Sequence, residues 1–225
     1  MESGVRSPAS EKTPLYRRSG IDYQHDIALS SWRLYGKSYM KVGLLGLQGA
    51  FLDHIRHLEQ LGVEHHLVKS TADLDVIDCL IIPGGESTVM EKFLDMFAMT
   101  EPLKTKINGG MPVWGICAGS ILLAETVDGR PGILDVLPVD VTRNAYGRQL
   151  ESSEKDIAVP ELQRPKFHAM FIRSPRIERV DATVKVFSSV DDDPVFVRCG
   201  HVMATTFHPE LTKDSVFHEY FIRSV

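Results

Sequence analysis

The side chain most suited to chemistry is Cys117, in the run Gly115-Ile116-Cys117-Ala118-Gly119. A thiol flanked in this G-x-C-x-G form, between an apolar run and a second apolar run, is a nucleophile elbow with sulfur in place of oxygen. The glycines let the chain turn tightly, so the thiol is presented rather than packed. A helix N-terminus favours a thiolate, and it supplies free N–H groups, here that of Ala118, which can hold an oxyanion. The plain alternative is a cysteine serving as a small buried hydrophobe. The strand-to-helix context favours the nucleophile.

A thiol nucleophile needs a base, and the base needs orienting. Of nine histidines, His208 is the best placed, because "FHPEL" (207–211) follows the apolar run "VMATTF" and so falls at a strand end. Glu210 lies two residues on, and in extended backbone residues two apart point the same way. Glu210 can then fix the tautomer of His208 and stabilise the imidazolium formed when Cys117 gives up its proton. His54 and His57, one turn apart on a predicted helix, read as solvated or packed side chains, as do His65 and His66 in or near a strand. His25 falls in the polar extension and His218 in the final helix, while His168 and His201 belong to strands.

The third element is "PGGEST" (83–88). Gly84 and Gly85 allow a backbone N–H to turn inward, as a second oxyanion donor must. Glu86 and Ser87 stand at a helix start, where Ser or Thr would act as a cap.

These residues need a scaffold that brings distant segments together. "KVGLLGL" (41–47), "VEHHLV" (63–68), "VIDCLIIP" (76–83) and "MPVWGI" (111–116) predict strands, the unbroken apolar ones buried on both faces. Helices are predicted from Phe51, Ile55, Leu58 and Leu61 up to Gly62, over 87–97 with a Ser/Thr cap, and over 118–124. That order is an α/β fold of three layers, a mostly parallel central sheet with helices on both faces. Ligands bind such sheets outside the carboxyl ends of the strands. Gln48, Pro83-Gly84-Gly85-Glu86 and Cys117 all fall at such ends. From Gly132 onward, "ILDVLPVDVTR", "FHAMFI", "ATVKVFSSV", "PVFVR" and "HVMATTF" predict added antiparallel strands, and "DSVFHEYFIRSV" (214–225) an amphipathic helix.

Composition bounds the rest. The chain has 225 residues, enough for one sizeable core, and a net charge of −5 that gives no case for nucleic acid or an anionic membrane. No apolar run is long enough to span a bilayer. The three cysteines, Cys79, Cys117 and Cys199, are too widely spaced for a disulfide framework or a thiolate metal site, which suits a reducing, cytoplasmic setting. Residues 1–39 are polar, carry Pro8 and Pro14, lack a signal-peptide apolar stretch, and read as a loosely ordered extension before a domain over 40–225.

Cys117 in its elbow, "PGGEST" and His208-Pro209-Glu210 together resemble the class I glutamine amidotransferase family, whose fold is flavodoxin-like. More narrowly, "GLLGLQGAFLDHI", "IIPGGESTVM", "WGICAGSILLA", "VTRNAYGRQ", "FIRSPRI" and "FHPEL" resemble the glutaminase subunits of pyridoxal 5′-phosphate synthase. The similarity runs from Met40 to the end with the motifs in family order. Ile116 stands where the family often has threonine, and the extension has no counterpart. The resemblance implies a Cys117–His208–Glu210 triad hydrolysing L-glutamine to glutamate and ammonia, with Gly85 and Ala118 as oxyanion donors. It implies that Gly85, Glu86, Ser87, Arg143, Ile172 and Arg173 hold the substrate. The arginines suit its carboxylate and Glu86 its ammonium. It further implies a (β/α)8-barrel synthase partner that consumes the ammonia, docked around Gln48, Asp53, His54 and His57 in a large hetero-oligomer. No metal or bound cofactor is expected.

Three other readings remain open at this point: an amidotransferase feeding a different acceptor, an elbow-cysteine hydrolase needing no partner, and a non-catalytic regulatory subunit. "GLQGAF" and "GGESTVM" argue against the first, and the intact Cys117, His208 and Glu210 against the last.

Overall fold

The structure, a computed structural model, describes Met1, residues 40–144 and residues 152–225. The expectation for residues 1–39 and the "AYGRQ" part of the Arg143 motif lie outside the described residues. Within the unit Tyr39–Val225, β1 (Lys41–Leu45) leads to α1 (Phe51–Gln60), β2 (Glu64–Val68) and β3 (Cys79–Ile82). Next come α2 (Ser87–Met96), α3 (Thr100–Asn108), β4 (Val113–Ile116) and α4 (Ala118–Leu123). Short strands follow: β5 (Ala124–Val127), β6 (Arg130–Pro131), β7 (Leu137–Thr142), β8 (Ser152–Val159) and β9 (Arg164–Ile172). Finally β10 (Arg176–Val180), β11 (Lys185–Val190), β12 (Asp193–Cys199) and β13 (Val202–Thr205) lead to α5 (Val216–Arg223).

The main sheet has seven strands in the order β11-β12-β13-β4-β3-β1-β2. From β13 to β2 every neighbouring pair is parallel, while β11 and β12 are antiparallel. Successive side chains of a strand point to opposite faces, and here they feed two different cores. Cys79 and Ile81 of β3 join Trp114 and Ile116 of β4, Leu58 of α1 and Phe217 and Phe221 of α5 on one face. Leu80 and Ile82 join Met90 and Leu94 of α2, Leu103 of α3 and Leu122 of α4 on the other. Helices therefore cover both faces, as the sequence predicts for a doubly wound sheet. Trp114, with no exposed surface, also places its indole N–H 3.2 Å from the Thr205 hydroxyl, so burial does not leave the donor orphaned.

Several local expectations are corrected. "HVMATTF" supplies β13, which is parallel to β4 rather than antiparallel, and this makes it a central strand. α3 has no counterpart in the sequence reading, because "TEPLKTKIN" buries only Leu103 and Ile107 and shows too thin an apolar stripe. Ser87 is not the cap of α2: Glu86 occupies that position without a side-chain capping bond, and Ser87 is a buried first-turn residue. The helix after Cys117 stops at Leu123, and Ala124 begins a strand of a separate four-stranded sheet, β10-β7-β5-β6. "FHAMFI" is part of β9, paired with β8 in a two-stranded antiparallel sheet.

Candidate active site

Strand order explains why residues far apart in sequence meet. In β13-β4-β3-β1 the carboxyl ends carry, in spatial order, His208, Cys117, Gly84 and Gln48. Neighbouring strands are spaced by about 4.8 Å, so groups on adjacent ends fall within reach of one another. Thr205 pairs with Ile116 in register, which sets His208 just beyond the level of Cys117. The chain runs from β1 outward to β2 and then back to β3 on the other side of β1, and crevices form at such switch points.

Cys117 has φ 50° and ψ −104°, a strained backbone for a residue with a side chain. Strain of this kind costs about 1–3 kcal/mol and must be held by its surroundings. Its N–H donates to the Thr205 carbonyl at 2.8 Å, and its own carbonyl accepts from the Ser120 N–H at 3.0 Å and the Ser120 hydroxyl at 2.6 Å. The flanking glycines have a steric purpose as well: a Cβ on Gly115 would sit 2.6 Å from the Gly119 carbonyl carbon, and one on Gly119 would overlap the Ile82 backbone. Strand and helix thus pack backbone to backbone on either side of the thiol. The thiol lies 3.7 Å from the Ile172 carbonyl.

His208 and Glu210 are both buried, with a Nδ1–Oε1 distance of 2.7 Å. A short 3-10 turn, Pro209–Leu211, begins directly after His208, so the pair is joined by turn geometry rather than by the extended backbone assumed from sequence. The Nε2 atom of His208 is free of other hydrogen bonds among the described residues. Burial disfavours the charged ring, but the neighbouring Cys117 and Glu210 outweigh it and push the imidazole up to about 10. For Glu210, burial works against ionisation, yet His208 and the nearby His54 hold the carboxyl below its ordinary range. The arrangement favours an imidazolium beside a carboxylate. Gly84 is required by the ring: a Cβ there would overlap Cε1 of His208.

Cys117 and His208 open into a cleft of about 370 Å³ that also holds Gln48, Gly85, Glu86, Ser87, Ala118, Arg143, Ile172 and Arg173. That volume is in the range of small-molecule sites. The Gln48 side-chain carbonyl accepts from the Glu86 N–H at 3.0 Å, and Gly84's carbonyl accepts from the Ala50 N–H at 3.0 Å, which ties the two loops together. Arg173 has a positive φ of 43°, so the strand breaks directly after Ile172 at the mouth of the cleft.

Arg143 has a partner within the chain: its Nε and backbone N–H both donate to the Asp128 carboxylate, at 2.7 and 2.9 Å. Asp128 escaped the sequence reading because "DG" signals only a turn. His54 and His57 have no exposed surface, so against expectation neither lies on a docking face; Asp53, directly before His54, is exposed. The amphipathic stripe of α1 turns both rings inward, whereas isolated histidines on a helix read equally well as surface groups.

A strained cysteine at a strand–helix turn, opening into one cleft with an imidazole held by a carboxylate at the top of a doubly wound sheet, is the arrangement that thiol-dependent acyl transfer requires. Comparison narrows the class. The model of the SNO glutamine amidotransferase family matches residues 44–225. The pyridoxal 5′-phosphate synthase subunit PdxT of Thermotoga maritima is 46% identical over 187 residues, covering 83% of this chain and 100% of its own. That of Moorella thermoacetica is 44% identical over 188 residues, with the same two coverages. A crystal structure of a glutamine amidotransferase superposes with TM-score 0.76 at 41% identity, covering 81% of this chain and 97% of its own. A PurLQS structure from Thermotoga maritima, at TM-score 0.63 and 16% identity over 83% of this chain and 99% of its own, shares the fold alone. The chain belongs to the SNO glutamine amidotransferase family, among the glutaminase subunits of pyridoxal 5′-phosphate synthase.

Proposed function

We propose that Cys117, His208 and Glu210 form the catalytic triad that releases ammonia from L-glutamine. The observation that carries this reading is the buried His208–Glu210 pair at 2.7 Å opening into the same cleft as the strained Cys117. The thiolate attacks the side-chain amide carbon, and the amide oxygen becomes an oxyanion held by the N–H groups of Gly85 and Ala118. Each such donor contributes about 3–4 kcal/mol. His208, protonated and oriented by Glu210, delivers its proton to the leaving nitrogen, and the C–N bond breaks to give ammonia and a thioester. Water, deprotonated by His208, then hydrolyses the thioester to glutamate and returns the proton to the triad.

Glutamine is oriented by its charged end. Arg143, held by Asp128, and Arg173 at the β9 terminus face the cleft as partners for its carboxylate; Glu86 takes its ammonium, and Ser87 and Ile172 shape the walls. Ammonia released to water is mostly protonated and no longer nucleophilic, so it passes directly to a (β/α)8-barrel synthase subunit in a large hetero-oligomer. Gln48 and exposed Asp53 lie at the docking face. Gln48 also contacts the Glu86 N–H, next to the proposed oxyanion donor Gly85, so a partner pressing there sets the donor geometry and raises turnover. The three free cysteines suit a reducing cytoplasm.

The test is glutamate production from L-glutamine by the full chain, alone and with the synthase subunit. Cys117→Ala is expected to lose turnover by about 10⁴-fold or more. Retained turnover in that variant would remove the triad.

A further inference from the structure

Behind Glu210, on the side away from Cys117, lies a group of aromatic nitrogen bases that the mechanism above does not use. His54, His57 and His218 are all fully buried. His54 Nδ1 and His218 Nε2 are 2.8 Å apart, the His57 and His218 rings stack at 4.2 Å, and Trp114 stands edge-on to both His54 and His218. This layer is pressed against the triad's carboxylate residue. His57 Nε2 lies 3.1 Å from the Glu210 carbonyl, and Arg56 donates to the same carbonyl at 3.0 Å. His54 is one helical turn before His57 on the same face of α1.

Two buried atoms of these neighbouring residues are left without hydrogen-bond partners among the described residues: His54 Nε2 and Glu210 Oε2. Oε1 is taken by His208. An ionised carboxylate keeps both oxygens hungry for donors, and a buried N–H without an acceptor is costly. The tautomers follow from this accounting. If His54 carried its proton on Nδ1, it would donate to His218, leaving a bare lone pair toward the carboxylate and an orphaned N–H on His218 Nδ1. If His218 Nε2–H donates to His54 Nδ1 instead, His54 Nε2 carries a proton available to the nearby Glu210 carboxylate, and His218 keeps only an unsatisfied lone pair, the cheaper omission.

We propose that His54 is a positioning residue: its Nε2–H, fixed by His218, holds the second oxygen of Glu210 through one water, completing the chain His218–His54–water–Glu210–His208. The inference rests on the triad reading above. Burial keeps the donor neutral, lowering His54 to about 4, with the nearby Glu210 opposing and His57 and His208 reinforcing the shift. His218 is lowered chiefly by burial, and so is His57, where Glu210 and Asp214 oppose the shift and Arg56 reinforces it. A neutral donor orients the carboxylate without competing for its charge, which stays available to the His208 imidazolium.

The test compares His54→Leu with His54→Gln, whose amide N–H can replace Nε2–H, in the full chain. Iodoacetamide alkylation of Cys117 against pH reports thiolate formation without needing a partner subunit or turnover. With the Glu210 anion less well held, the thiolate–imidazolium pair forms at higher pH. His54→Leu is therefore expected to shift the alkylation midpoint upward by about one unit and lower kcat by about tenfold with KM little changed. His54→Gln should recover most of both. Melting temperature serves as the control for packing. An unshifted alkylation midpoint in His54→Leu, or equal defects in the two variants, would overturn the inference. Retained glutamine turnover in Cys117→Ala would instead overturn the triad reading on which it stands.

Discussion

One carboxylate, Glu210, has histidines on both sides, and the two sides titrate in opposite directions. His208, facing the cleft, is raised to about 10 despite burial, because Cys117 and Glu210 lie against it. His54, facing the helix layer, is lowered to about 4, because it is more deeply enclosed and only the coulombic pull of Glu210 opposes desolvation. The same residue type thus serves as a proton carrier in one place and as a fixed neutral donor a few ångströms of packing away. What differs is the partner: a directly bonded anion outweighs burial, and a more distant one does not.

The comparison breaks most severely if the carboxylate is neutralised. Glu210→Gln should leave His208 without its anionic partner and able to adopt the wrong tautomer, lowering kcat by about 10³–10⁴-fold. The same change removes the anion that raises His54, so steady-state kinetics and histidine NMR titration would read the two sides at once. Unchanged kcat would mean that the short Nδ1–Oε1 contact is structural.

A smaller effect is expected from Gly84→Ala. The new methyl would overlap the His208 ring and displace it by a few tenths of an ångström or more, with the histidine layer behind Glu210 untouched. The expected loss is about 10²-fold in kcat at unaltered melting temperature. A large fall in stability would show instead that the ring cannot yield.

The smallest expected effect is on stability against pH. For His54, His57 and His218 the folded pKa lies below the ordinary value of 6.5, so the unfolded chain takes up protons that the native state refuses. Stability from these groups is complete above that value and is lost as pH falls toward about 4. For His54 alone the full loss is roughly 3 kcal/mol. His208 has the opposite sign: its contribution is present below 6.5 and is lost as pH rises through about 10. Urea midpoints should therefore fall on both sides of a maximum near neutrality, measurably so by about pH 5. Equal midpoints at pH 5 and 7 would mean that the inner histidines are already charged in the native state.

Sequence by itself determined the local parts. Unbroken apolar runs named the strands buried on both faces, G-x-C-x-G named the elbow, and "PGGEST" and "HPEL" named two further strand ends. Each of these is encoded within a few residues by side-chain period or by glycine sterics. Depth and neighbours are different, since they are set by segments remote in the chain. The parallel placement of β13 beside β4, which brings His208 to Cys117, could not be read from an alternating run that suits either direction. Nor could the capture of Arg143 by Asp128, or the burial of His54 and His57 beneath α5, because a histidine on an amphipathic helix carries the same pattern whether its face meets water or a second helix. Only the tertiary structure sets the dielectric and the partner at each ring, and those two quantities decide which histidine holds a proton.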